Sequence, residues 1–123
     1  MNLKQKNASA AATQGVLTHH LNSFGDIVGT MADYTAESRF FTPDGVLCGS
    51  EAIRRFFVPL FEEFAKAGMS FEMLRQEVEG DTAYIVWKAE TADNHFELGT
   101  DTFIVQDGKI VTQTFAGKIS PKR

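Results

Sequence analysis

The side chains best suited to chemistry in this chain are three histidines, His19, His20 and His95, with Asp101 and a single cysteine, Cys48. His20 falls on one helical face with Val16, Leu17, Leu21 and Phe24, the spacing of an amphipathic helix. His19 then points to the opposite side and is expected in solvent. A histidine on an apolar stripe is either a satisfied core residue or an acid/base group that titrates near neutrality. Asp101 alternates with Phe103 along one strand face. Among phenylalanine rings its carboxyl is expected to have a raised pKa and to be able to donate a hydrogen bond; the alternative is a solvated or paired aspartate at a rim. Trp87 shares a face with Ile85 and Ala89, as a pocket wall or as plain core. His95 and Glu97 have the parity of Asp101 unless a bulge flips them. The scattered histidines lack metal-ligand spacing, so neither a metal nor a cofactor is expected. Cys48 has no histidine beside it in sequence, which argues against a nucleophile.

These residues need elements to position them. The periodic stretch from about Thr13 to Phe24 predicts a helix, and a short second one follows Asp26 through Met31. Phe40 and Phe41 close an extended segment before the turn Thr42-Pro43-Asp44-Gly45, and Val46 to Cys48 return as a short strand. Ser50 is the expected N-cap of the strongest helix, whose stripe is Ile53, Phe56, Phe57, Leu60, Phe61 and Phe64, with a kink expected at Pro59 and an end near Gly68. Four strands follow: Ser70 to Glu79, Thr82 to Thr91, His95 to Gln106 and Lys109 to Ile119, the last two joined by the hairpin signal Asp107-Gly108. Strands this long beside helices imply a bent antiparallel sheet wrapped around them, an α+β layer fold. Residues 1–12 read as a frayed tail, and residues 13–123 as a single domain.

Composition narrows the function classes. The 123 residues carry a net charge of −4 without clustered basic residues, which argues against a nucleic-acid or anionic-membrane surface. No apolar run approaches a membrane span, and one cysteine points to a reducing compartment, so the cytoplasm is expected. Eleven phenylalanines against two tyrosines is the unusual entry in the composition. Rings that large either form one oversized core or line a cavity.

Several short motifs carry a family resemblance: Phe24-Gly25-Asp26, Ala32-Asp33-Tyr34, Thr42-Pro43-Asp44-Gly45, Gly49 with Glu51-Ala52-Ile53-Arg54, and Phe56-Phe57. Asp101-Thr102-Phe103 and Asp107-Gly108-Lys109-Ile110-Val111 continue it near the C-terminus. Over residues 13 to 119 the chain resembles the SnoaL-like branch of the nuclear-transport-factor-two-like superfamily, which includes ketosteroid isomerase. The resemblance implies a cone in which the sheet curls around the long helix and its open end admits a small apolar ligand. It also implies a homodimer through the outer sheet face. Ketosteroid isomerase works with an aspartate base and an oxyanion hole of a tyrosine and a protonated aspartate. The base position corresponds here to Thr42, which cannot abstract a proton at neutral pH. Asp101 matches the protonated aspartate, and the tyrosine position corresponds to His20, or to Thr18 if the loop is aligned without gaps. Gln113 and Phe115 then share the Asp101 face by the family register. The resemblance therefore implies His20 and Asp101 as a catalytic pair, with Asp101 either ionised and orienting His20 or neutral and clamping a carbonyl. Trp87, Phe103, Gln113, Phe115, Phe57, Phe61 and Phe40 would line the ligand site. Three functions remain open: an isomerase, cyclase or dehydratase on a small carbonyl compound, a non-catalytic binder of an apolar metabolite, or a protein-association domain.

Overall fold

The computed structural model describes residues 3–122. Helix α1 spans Leu3–Asn22, α2 Ile27–Met31 and α3 Ser50–Ala65. The strands are β1 Arg39–Thr42, β2 Gly45–Cys48, β3 Ser70–Glu79, β4 Thr82–Glu90, β5 Asn94–Gln106 and β6 Lys109–Pro121. They form one sheet in the order β2-β1-β6-β5-β4-β3. Only β1 and β6 pair in parallel; every other neighbouring pair is antiparallel.

Alternation decides which face is covered. Ala83, Ile85, Trp87 and Ala89 on β4, and Phe96, Asp101, Phe103 and Val105 on β5, are buried against the helices. On α3 the buried stripe is Ile53, Phe57, Phe61 and Phe64. Register shifts in β3–β4, β4–β5 and β5–β6 bend the sheet around that helix without closing it. One falls at Glu97, which has no partner between Phe96↔Ile119 and Leu98↔Lys118, and it turns His95 outward while Asp101 stays inward. The β5–β6 turn needs two positive φ angles, supplied by Asp107 (51°) and Gly108 (75°).

Gly99 is set by a close approach. It faces Trp87 across β4–β5, and a Cβ there would lie 2.4 Å from the indole ring. The missing side chain is what lets Trp87 lie against the sheet, stacked between Phe71 (5.6 Å between centroids) and Phe115 (6.1 Å).

Three local expectations need correction. Of the expected tail, residues 1 and 2 lie outside the described part, and residues 3–12 are helical. Ala8 and Ala10 to Ala12 are the best helix formers. The helix is tied down where the Thr13 hydroxyl sits 2.7 Å from the Ser9 and Gly80 carbonyl oxygens. Helix α3 already includes Ser50, so its N-cap is Gly49, whose φ of 86° is one that glycine tolerates and whose missing side chain makes no cap hydrogen bond. It ends at Ala65, before Gly68.

Candidate functional site

The interior holds two buried carboxylates, and their partners define the site. Asp101 on β5 is 8% exposed. The Trp87 indole N–H donates to its Oδ1 (2.8 Å) and the Gln113 amide to its Oδ2 (2.9 Å). The Tyr34 hydroxyl donates in turn to Gln113 Oε1. The register accounts for this grouping: Asp101 lies opposite Phe115, and Phe103 opposite Gln113, so all four share the inner face. Burial pushes the Asp101 carboxyl above the usual carboxylate range, and the two donated bonds and the charge of nearby His20 pull it back only in part. Burial, then the charges of Asp101 and Asp33, push the Tyr34 phenol well above its ordinary value, which keeps it a neutral donor.

The second carboxylate is Asp33, 5% exposed, in the segment joining α2 to β1. Its backbone is pinned to the β5–β6 hairpin: its carbonyl accepts the Ile110 N–H (2.7 Å), and Lys109 Nζ reaches the Ala32 carbonyl (2.6 Å). Asp33 Oδ2 sits 3.2 Å from His20 Nδ1, and Oδ1 sits 2.7 Å from His19 Nδ1. His20 is 8% exposed, held edge-on by Tyr34, Phe57 and Phe103 with centroids 5.3 to 6.0 Å away.

His20 and Asp101 therefore lie close enough to feel each other's charge without sharing a hydrogen bond. The partner that orients His20 is Asp33. His19 is not merely solvated, because it binds the same carboxylate from the solvent side. A Nδ1–H held by Asp33 leaves His20 Nε2 as the basic atom. Among the described residues Nε2 has no hydrogen-bond partner, and no side-chain nitrogen or oxygen is both sealed from solvent and unpaired, so Nε2 keeps open surface.

Sequence reasoning missed Asp33 and Tyr34. The only signals were the motif Ala32-Asp33-Tyr34 and the adjacent histidines in the last turn of α1; nothing in the spacing tells which carboxylate the chain returns to that turn.

An open pocket of about 430 Å³ lies at the mouth of the cone. The β1–β2 hairpin from Thr42 to Leu47, Phe56, Phe115, Gly117 and Ile119 line it. Of the residues expected to wall a ligand site, Phe115 is the one that lines this pocket. Phe40, Phe57, Phe61, Phe103, Gln113 and Trp87 are buried in the core instead, because α3 packs its rings directly onto the inner sheet face. Phe56, the neighbouring ring on α3, takes the lining role. Among the described residues no group of three His, Cys, Asp or Glu could hold a metal ion, and no helix is long and apolar enough to cross a membrane.

An unclosed, curved six-stranded sheet around a long helix is the α+β cone of the NTF2-like proteins. An NTF2-like protein of unknown function from Mesorhizobium loti superposes with a TM-score of 0.71 at 21% identity, over 89% of this chain and 93% of that one. A SnoaL-like protein of unknown function from Burkholderia thailandensis gives 0.69 at 14% identity, over 88% and 95%. An LEH-like epoxide hydrolase from M. tuberculosis gives 0.67 at 15% identity, over 89% and 84%. No curated protein matches the sequence. The sequence profile of the SnoaL-like domain matches residues 18–113, and the chain belongs to that family.

The raised Asp101 pKa has a stability consequence. Between the ordinary aspartate value and the raised folded value, the native state binds more protons than the unfolded chain, so stability falls as pH rises through that window. In Asp101→Asn this slope should vanish. Denaturant unfolding of both proteins across the acidic range reads it, and an unchanged slope in the variant would assign the dependence elsewhere.

Proposed function

We propose that this protein is an acid/base enzyme of the isomerase, cyclase or dehydratase kind, acting on a small, mostly apolar carbonyl compound. The observation that carries the reading is His20, whose Nδ1 is held by buried Asp33 while its Nε2, without a hydrogen-bond partner among the described residues, keeps open surface. In this reading Nε2 takes a proton from carbon or oxygen of the ligand and returns it, and Asp33 stabilises the imidazolium that forms between the two steps. Asp101 contributes the charge and polarity of the wall beside it. Thr42 stands where the isomerase base would be, so a steroid-type proton transfer from that side is not part of the proposal. The ligand enters through the mouth pocket, where Phe56 and Phe115 supply the apolar walls. No cofactor and no metal takes part. The lone, exposed Cys48 suits a reducing compartment, and we place the protein in the cytoplasm.

A second reading has its own observation. The mouth pocket is lined by neither His20 nor Asp101, and Phe57 and Phe103 pack against the His20 ring. A binder that holds an apolar metabolite in that pocket without turnover needs nothing more. Screening small cyclic and polyketide-like carbonyl compounds against the wild type and His20→Ala separates the two. An enzyme should lose roughly 10²- to 10⁴-fold in turnover with binding retained. Binding without turnover in the wild type would leave only the second reading.

We further propose a homodimer through the outer sheet face. Its central strands carry an uncharged row, Thr100, Thr102, Thr112 and Thr114, with exposed Tyr84, Leu98 and Phe41 around it. Thr102 lies opposite both Tyr84 and Thr114, at the middle of that face. Sedimentation equilibrium should give a dimer for the wild type and a monomer for Thr102→Lys, and a wild-type monomer at tens of micromolar would sink the idea.

A further inference from the structure

We propose that His19 is the solvent end of a proton relay that reaches His20 through Asp33. The proposal rests on His20 as the acid/base group and adds the route by which that group exchanges protons with water.

Adjacent residues on a helix point about 100° apart, so one can face the core while the next faces solvent. His20 takes the first role, its side chain 9% exposed, and His19 the second, 51% exposed. Asp33 bridges them with one oxygen each, at 2.7 Å to His19 Nδ1 and 3.2 Å to His20 Nδ1. The bonds from Ile110 and Lys109 to the backbone of Asp33 and Ala32 hold the carboxylate in place. The far nitrogen of His19, Nε2, lies 3.4 Å from the Ser23 hydroxyl at the helix end. A carboxylate whose sole purpose was to orient His20 would not need a second, exposed imidazole on its other oxygen.

When His20 Nε2 takes a proton, the ring becomes the imidazolium that Asp33 stabilises, and exchange with water begins as its Nδ1 proton passes to Asp33. His19, in contact with water, interchanges its two neutral tautomers and so meets Asp33 as donor or as acceptor. In the acceptor form its Nδ1 receives the proton from the neutral carboxyl, and its Nε2 releases one to water. The reverse sequence returns a proton to His20 Nδ1 as Nε2 gives its own back to the ligand. One proton crosses the wall of the cone, and no electrons move.

The test reads proton exchange and needs no ligand. In protein labelled with ¹⁵N-histidine, the exchange rate of the His20 ring N–H with water is measured for the wild type, His19→Gln and His19→Ala. Gln still donates to Asp33 but cannot titrate, so exchange should slow by roughly 10²-fold, the low end of what a positioned proton-transfer group contributes. Added imidazole should then accelerate exchange in His19→Ala, where it can occupy the vacated place beside Asp33, and not in His19→Gln. Backbone amide exchange along α1 should stay the same in all three. A His19→Gln rate equal to wild type, or an imidazole response common to both variants, would overturn the relay. Because water is the exchange partner, a relay that fails here leaves the turnover test of His20 untouched. A relay confirmed beside a negative turnover screen would remove only the enzyme reading.

Discussion

Two carboxylates are buried in this small core, and among the described residues neither is paired with a lysine or an arginine. An uncompensated buried charge costs several kcal/mol, so each must be met by hydrogen bonds or by a histidine. Asp101 is met by neutral donors, the Trp87 indole and the Gln113 amide, with Tyr34 continuing the chain. Asp33 is met by two imidazoles. Much of the surrounding structure serves these demands. Gly99 exists to let the Trp87 ring lie where its N–H reaches Asp101. The β5–β6 register sets Gln113 diagonally beside Asp101. The hairpin that carries Lys109 and Ile110 fixes the backbone at Asp33.

The same packing explains why the phenylalanines are core before they are pocket. Phe40, Phe57, Phe61, Phe64 and Phe103 fill the depth of the cone: Phe57 and Phe103 meet His20 edge-on, Phe57 packs on Phe40 and Phe61, and Phe64 packs on Phe96. Toward the mouth, Gly117 and the β1–β2 hairpin leave Phe56 and Phe115 partly uncovered around open space. Phe115 touches both regions: it lines the pocket and stacks on Trp87, one layer from the Asp101 carboxylate.

The strands and turns were legible in the sequence because their signals are local. Asp107-Gly108 names its turn, the period-2 runs name their faces, and β3 begins and ends where Ser70 and Glu79 placed it. The start of α1 was not legible, since alanines form helix without the amphipathic period that marks the rest of it. Ser50 carries the N-cap signal in the sequence, yet the helix takes in Ser50 itself and leaves the cap to Gly49. For the site, the inward face of Asp101 and the apolar face of His20 followed from parity. Their pairing did not, because Asp33 comes beside His20 only through the turn after α2 and the long-range bond to Ile110. Aromatic content likewise does not say whether a ring lines a cavity or fills one; that depends on how closely α3 approaches the sheet.

The central claim is that Asp33 fixes His20 with its proton on Nδ1 and leaves Nε2 basic and open. Long-range ¹H–¹⁵N correlation spectra of the histidine rings measure that tautomer directly. At a pH where His20 is neutral, the expected result is a protonated Nδ1 and an unprotonated Nε2. A proton on Nε2 with a bare Nδ1 would contradict it.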